Sequence, residues 1–205
     1  MSVLEARQDR VRAALRRRIE SVVPVLEAVH RRHNASAILR SAECFGCHEV
    51  HMVTGVFRPS KGAARGAERW IDLHRHGELS PCIAGLKERG FRLYVADLDP
   101  TAISPDEVPV DRPVAVLFGS ELEGVSDEAR SLAYGLVTVP MRGLTESLNV
   151  SVAAACILQT LTERRRLHIG GGDLSIARQE AFYEAWLDRE DLARQGMAAR
   201  AMMKR

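Results

Sequence analysis

Val114-Ala115-Val116-Leu117-Phe118 is an apolar run of strand length, ended by Gly119 and preceded by a Pro-bearing crossing segment, 97–113. A strand with no polar side has to be covered on both faces, which places it inside a parallel sheet with helices on either side. The rest of the chain supplies those partners. Val22–Val29, with Pro24 near its start, Val50–Val53, Arg92–Ala96 and Leu136–Val139 have strand character. Between them lie helical stretches with recognisable ends. Asn34 can cap a helix over Ala35–Cys44 that Gly46 stops, and Ser80-Pro81 opens one that ends at Gly90. Ser126-Asp127-Glu128 starts a short acidic-first helix, and apolar positions from Leu148 to Leu161 predict a long helix over about 147–165. The alternation predicts an α/β sandwich around a largely parallel sheet.

Residues 21–162 are the expected core domain. A basic amphipathic helix over 1–20 precedes it, and an Arg-rich helical extension over 163–205 follows, after a Gly170-Gly171-Gly172 hinge. A chain of 205 residues buries enough surface to fold without disulfides or metals. No stretch approaches the roughly 18 to 20 uncharged apolar residues of a membrane span. The N-terminal residues hold Glu5, Asp9 and six arginines by Arg18 but no apolar h-region, so no secretory signal is expected. The four cysteines are accordingly expected to be reduced, in a cytoplasmic protein.

The net charge of +2 conceals a pattern. Residues 1–33 carry 8 basic and 4 acidic side chains, residues 34–162 carry 12 and 16, and residues 163–205 carry 9 and 7. Basic ends around an acidic middle point to an anionic partner. Of the 29 basic residues 26 are arginine, whose planar fork suits phosphate, although a GC-rich genome would give the same bias. The clusters Arg16-Arg17-Arg18, Arg31-Arg32 and Arg164-Arg165-Arg166 carry more weight. With Arg58 and Arg65, in a basic Gly/Pro loop (54–69) expected to move, they are the candidate contacts for that anionic partner.

One local string misleads. Cys44-Phe45-Gly46-Cys47-His48 matches the c-type haem pattern, but that attachment belongs to exported proteins. A zinc reading of Cys44, Cys47, His48 or His51 lacks a second ligand pair, so these thiols are expected to be structural and no metal is expected.

Three separated segments are informative. Asn34-Ala35-Ser36-Ala37-Ile38-Leu39-Arg40 puts an Asn and an Arg on one helical face. Gly119-Ser120-Glu121-Leu122-Glu123-Gly124 follows the buried strand, where open α/β sheets place ligands. Val139-Pro140-Met141-Arg142-Gly143-Leu144-Thr145-Glu146-Ser147-Leu148-Asn149-Val150-Ser151-Val152-Ala153 is a punctuated loop leading into a small-residue helix. Together they resemble the SpoU/TrmH family of RNA ribose 2′-O-methyltransferases, in the SPOUT class. Val139 stands where the family pattern has Ile, and Glu123 adds a negative charge near the second motif. The resemblance covers about residues 21–162, and the basic ends look like the branch that methylates the D-loop guanosine at tRNA position 18.

That resemblance implies a SPOUT fold with a deep trefoil knot around residues 115–155, S-adenosylmethionine as methyl donor, and a homodimer in which the first motif faces the other subunit's cofactor. Carried over by position, Ala96, Gly119, Val139, Met141 and Leu148 would hold the cofactor. Arg40, Asn34, Glu121, Ser147 and Asn149 would form the reactive centre, with tRNA as partner and the arginine clusters, Arg58 and Arg65 as its candidate RNA contacts. Guanidinium stays charged, so Arg40 is expected to act as a cation that stabilises a developing alkoxide, rather than as a base. Two rivals stay open: a ribosomal RNA target, and a non-catalytic RNA-binding or assembly protein. A Rossmann dehydrogenase is disfavoured, because no G-x-G-x-x-G follows a strand near the N-terminus.

Overall fold

Six parallel strands form one sheet: β1 (Val22–Glu27), β2 (Glu49–Val53), β3 (Asp72–His76), β4 (Arg92–Ala96), β5 (Val114–Phe118) and β6 (Gly135–Val137), in the order β3-β2-β1-β5-β4-β6. The structure is a computed structural model that describes residues 3–53, 64 and 66–187. Helices α1 (Val3–Leu15), α2 (Arg32–Phe45), α3 (Leu79–Glu88), α4 (Asp127–Leu132) and α5 (Val150–Ile169) lie among the strands, with β4 followed directly by β5. The expected α/β architecture is present. No described helix is long and apolar enough to cross a membrane.

β1 and β5 pair at the centre, Val22 with Val114 through Leu26 with Phe118, and their apolar side chains are buried on both faces. Alternation along each strand splits the core in two. Val22, Leu26, Val114, Val116 and Phe118 pack with Ile38 and Leu39 of α2 and Ile157, Leu158 and Leu161 of α5. Val23, Val25, Ala115 and Leu117 pack with Cys82, Ile83 and Leu86 of α3 and Ala129 of α4. Pro24 sits inside β1, and the ladder to β2 begins only after it, at Val25.

Some boundaries differ from the sequence reading for local reasons. α2 starts at Arg32 with Arg31 as N-cap, so Asn34 lies inside the first turn and is no cap. α3 starts at Leu79, ahead of Ser80-Pro81, with Glu78 as its cap residue. Ser126 caps α4 as expected, accepting a bond from the Ala129 amide. α5 runs unbroken from Val150 to Ile169, so residue 163 falls inside a helix. The triple glycine is a packed turn rather than a hinge. A Cβ on Gly172 would lie 2.7 Å from the Arg18 carbonyl, which already accepts the Asp173 amide.

The two ends of the described chain meet. Leu15 of α1 packs with Tyr183 and Trp186 from the helical residues 176–187. Arg12 bonds Glu180 at 2.7 Å and lies 3.8 Å over the Tyr183 ring.

His48 lies against this assembly, its ring 4.1 Å from that of Phe182 and both its nitrogens without a hydrogen bond among the described residues. Burial, then the charges of Arg18 and Arg178, push its pKa down to about 4. In the unfolded chain an imidazole takes its proton near about pH 6.5. Between those values the unfolded state binds the extra proton, so this contribution is complete above about pH 6.5 and lost as pH falls toward 4. We expect it to reach about 2 kcal/mol, allowing for solvent screening. His48→Leu should flatten the fall in Tm between pH 6.5 and 4.5, and equally steep falls in both proteins would contradict this assignment.

The haem-like string does not converge. Gly46 ends α2 in the left-handed conformation, leaving Cys44 exposed and Cys47 buried. Burial pushes the Cys47 thiol up to about 12, so it is a neutral core group, as expected of a structural thiol.

Candidate active site

The C-terminal ends of β4, β5 and β6 open into a cavity of about 470 Å³. Ala96, Phe118 and Val137 close each strand and form its floor, and the 119–124 and 138–149 segments form its walls. This is the position at which open α/β sheets place ligands, and the size suits a nucleoside-sized molecule.

The first wall is a tight loop. Ser120 and Gly124 exchange both backbone bonds, at 2.8 and 3.0 Å, and the Ser120 hydroxyl accepts from the Leu122 and Glu123 amides. That closure leaves no room beside Gly119. A Cβ there would lie 2.6 Å from the Val125 nitrogen and closer still to the Gly124 carbonyl. Gly124 takes φ 73°, which suits glycine. Ser126 just beyond is pinned to the end of β1, its hydroxyl and amide both donating to Glu27. Glu121 turns into the cavity; Glu123 is exposed and does not line it.

The second wall ends at Asn149, the N-cap of α5. Its Oδ1 accepts from the Ser151 amide at 2.9 Å and hydroxyl at 2.6 Å. That sets the orientation of the amide, so Nδ2 donates to Asn34 Oδ1 at 3.3 Å, and Asn34 Nδ2 donates to Glu121 Oε1 at 2.7 Å. Asn34 is buried. The three sequence segments therefore meet in one directed chain, Asn149 to Asn34 to Glu121. Between Val139 and Leu148, no backbone amide or carbonyl bonds another backbone group among the described residues. Such a stretch offers its donors and acceptors to solvent or a ligand.

The remaining candidates divide. Ala96, Gly119, Val139, Met141 and Leu148 all line the cavity, as do Glu121, Ser147 and Asn149. Arg40 does not. It stands exposed on α2, six residues beyond Asn34, with no ion pair or hydrogen bond among the described residues. Two charged lining residues escaped the sequence reading in this role. Asp97, the first residue past β4, accepts the Leu98 amide and pairs with Arg130; its position after a strand was the available signal. Arg31, assigned to RNA, also lines the cavity.

The arginine clusters split as well. Arg16 and Arg17 are exposed at the end of α1, and Arg31 and Arg32 at the start of α2. Arg18 corrects its expected RNA role. It is buried, pairs with Glu43 at 2.9 Å and donates to the Cys47 carbonyl at 2.8 Å. Its guanidinium satisfies carbonyls at the C-terminal end of α2, where positive charge is favourable. Arg164 donates to the Pro105 and Val108 carbonyls, and Arg165 to Val110 and the Ser21 hydroxyl. Arg166 bonds the Phe45 and Arg17 carbonyls. These three brace α5 internally rather than presenting free forks. Arg58 and Arg65 lie outside the described residues.

Comparison with known proteins agrees with this geometry. The SpoU rRNA Methylase family matches residues 21–159. A tRNA (guanosine(18)-2′-O)-methyltransferase of Thermus thermophilus is 44% identical over 168 residues, covering 81% of this chain and 86% of that one. The Escherichia coli protein of the same name is 36% identical over 162 residues, covering 78% and 71%. The crystal structure of the A. aeolicus TrmH/SpoU tRNA modifying enzyme superposes with a TM-score of 0.82 at 27% identity, covering 92% of this chain and 98% of that one. With more than half of its length matched and relatives this similar over most of their own length, the chain belongs to the SpoU rRNA Methylase family.

Proposed function

We propose that this chain methylates the ribose 2′-hydroxyl of guanosine 18 in tRNA, using S-adenosylmethionine. The relatives' names support the substrate. The observation that carries the reading is the Asn149–Asn34–Glu121 chain, which brings all three family motifs to the rim of one cavity.

The cavity fits the cofactor in size and in the chemistry of its walls: apolar side chains on the floor, free backbone groups in the 139–148 segment, and two carboxylates to face a cation. Ala96, Gly119, Val139, Met141 and Leu148 would hold it. The cofactor supplies an electrophilic methyl group on a positively charged sulfur. What the protein adds is alignment and charge. Asn149 and Asn34 orient Glu121, and Ser147 secures the loop. Arg40 stabilises the developing alkoxide as a fixed cation, and a substrate phosphate or water takes the proton.

Arg40 serves the cavity of a second copy in this reading. It stands outside its own cavity, while Leu122, Leu144 and Val152 expose apolar surface from the loops and helix beside that cavity. A homodimer covering this face would bury that apolar surface and bring Arg40 to the partner's cavity. Residues 21–162 form the catalytic domain, with 115–155 threaded as the family's knot, and residues 1–20 and 163–205 are appended arms. Arg16, Arg17, Arg31, Arg32, Arg58 and Arg65 contact the RNA backbone, and the protein acts in the cytoplasm, with its tRNA.

Incubation with methyl-labelled donor, unmodified tRNA transcripts and ribosomal RNA fragments tests the substrate. Label is expected on the guanosine 18 ribose. Label confined to ribosomal RNA, or no transfer to either, would overturn the reading.

A further inference from the structure

We propose that His51, His76 and Cys82 form a binding site for one divalent transition-metal ion of the zinc class, on the face of the sheet opposite α2 and α5. The inference does not rest on the methyltransferase reading. β2 and β3 pair in parallel with His51 opposite His74, and the period-2 alternation turns Glu49, His51, His74 and His76 to the face that α3 covers. Cys82 lies on α3 and is buried, as is His51; His76 is half-buried on the edge strand.

The ligand atoms of these three residues lie within 4.8 Å of one another. His51 Nδ1 is 2.9 Å from His76 Nε2 and 3.6 Å from Cys82 Sγ. A tetrahedral zinc ion with bonds of about 2.0–2.1 Å to nitrogen and about 2.3 Å to sulfur has N···S edges of about 3.6 Å and N···N edges of about 3.4 Å. The observed sulfur edge matches, and the imidazole pair needs to open by only a few tenths of an ångström. A fourth position is left for water.

The surroundings have the form that metal-ligating histidines require. His51 Nε2 is buried without a hydrogen bond among the described residues and lies 3.6 Å from Glu49 Oε1, which Arg89 holds at 2.6 Å. A carboxylate behind the far nitrogen selects the tautomer whose Nδ1 lone pair points at the ion. His74 stacks on His51 with ring centroids 4.7 Å apart and reaches the other oxygen of Glu49 at 3.5 Å, so the ring is held from the side as well. Without an ion, an unprotonated Nδ1 has one lone pair to offer to two close neighbours, His76 Nε2 and Cys82 Sγ. With one, the His76 ring, now nearly parallel to His51 (interplanar 5°, centroids 5.0 Å apart), has to turn so that its Nε2 lone pair meets the ion beside Nδ1 and Sγ. The N₂S donor set favours zinc, cobalt, nickel or copper over magnesium or calcium. An ion here would join α3 to the two strands at the sheet edge.

The test uses untagged, chelator-treated full-length protein titrated with Zn²⁺ against a chromophoric competitor, and with Co²⁺ followed optically. One ion per chain, a rise in Tm on addition of Zn²⁺, and a near-ultraviolet thiolate-to-cobalt band are expected. His76→Gln and Cys82→Ser should each weaken binding at least tenfold, Cys82→Ser should abolish the band, and His168→Gln, at an exposed position, should change neither. His76→Gln keeps the test open should Cys82→Ser fold poorly. Absence of a one-to-one complex, a cobalt form without the thiolate band, or affinity unchanged in His76→Gln would overturn the proposal.

Discussion

Arg40→Ala is expected to slow methyl transfer to tRNA by about 10²- to 10³-fold, the loss usual when one donor to a developing oxyanion is removed. Its cost in stability should stay within about 0.5 kcal/mol, because the side chain is exposed and holds no ion pair or hydrogen bond among the described residues. Affinity for S-adenosylmethionine should be unchanged, since Arg40 does not line its own cavity and is assigned to the ribose oxygen, not the donor, in the partner's. Arg40→Lys keeps the charge but loses the planar fork, so it should recover only part of the rate. Single-turnover rates, donor affinity and Tm measured on the same preparations check all of this. Near-normal turnover in Arg40→Ala would remove the residue from the reactive centre. A rate loss matched by a large fall in Tm would make it a folding residue instead.

Gly119→Ala should act in the opposite way, through donor binding and stability. The added methyl group cannot avoid the Gly124 carbonyl and the Val125 nitrogen, and both belong to backbone held by the paired Ser120–Gly124 bonds. The loop must shift, at a cost of about 1–3 kcal/mol. Because the same loop carries Glu121, donor affinity should fall at least tenfold, a change of about 1.4 kcal/mol or more. Gly124→Ala is the informative contrast. No atom lies within 4 Å of its Cβ position, so only the positive φ opposes it, at about 1 kcal/mol. Calorimetric donor titration and thermal unfolding of both variants separate the two. Equal effects would mean that the loop tolerates what the geometry forbids.

Much of the fold was legible because its strongest signals are local. An all-apolar strand such as Val114–Phe118 has to be central, and Gly46 and Ser126 mark helix ends by their own chemistry. The cavity was legible for another reason: Gly119, Glu121, Ser147 and Asn149 occur in long ordered strings. What stayed hidden depends on contacts between distant segments. Nothing local separates Arg18 from Arg16 and Arg17, yet only Arg18 points inward, to the C-terminal end of α2. Asn34 sits where a cap would be expected, but its helix starts two residues earlier and its amide is used across the site by Glu121 and Asn149. The His51, His76 and Cys82 cluster needs the β2–β3 register and the seat of α3 to assemble, and no spacing along the chain encodes either.

A mixed-subunit assay tests most directly whether the donor cavity and Arg40 come from different copies. Arg40→Ala and Gly119→Ala proteins, each strongly impaired alone at a donor concentration well below the weakened affinity of Gly119→Ala, are unfolded together, refolded and assayed on tRNA. In a two-fold dimer, half of the mixture pairs an intact cavity on one subunit with an intact Arg40 on the other. Activity should return to about a quarter of the wild-type level. A mixture that forms hybrid dimers yet stays as inactive as its parents would show that Arg40 serves its own subunit or none, and the two-subunit site would have to be abandoned.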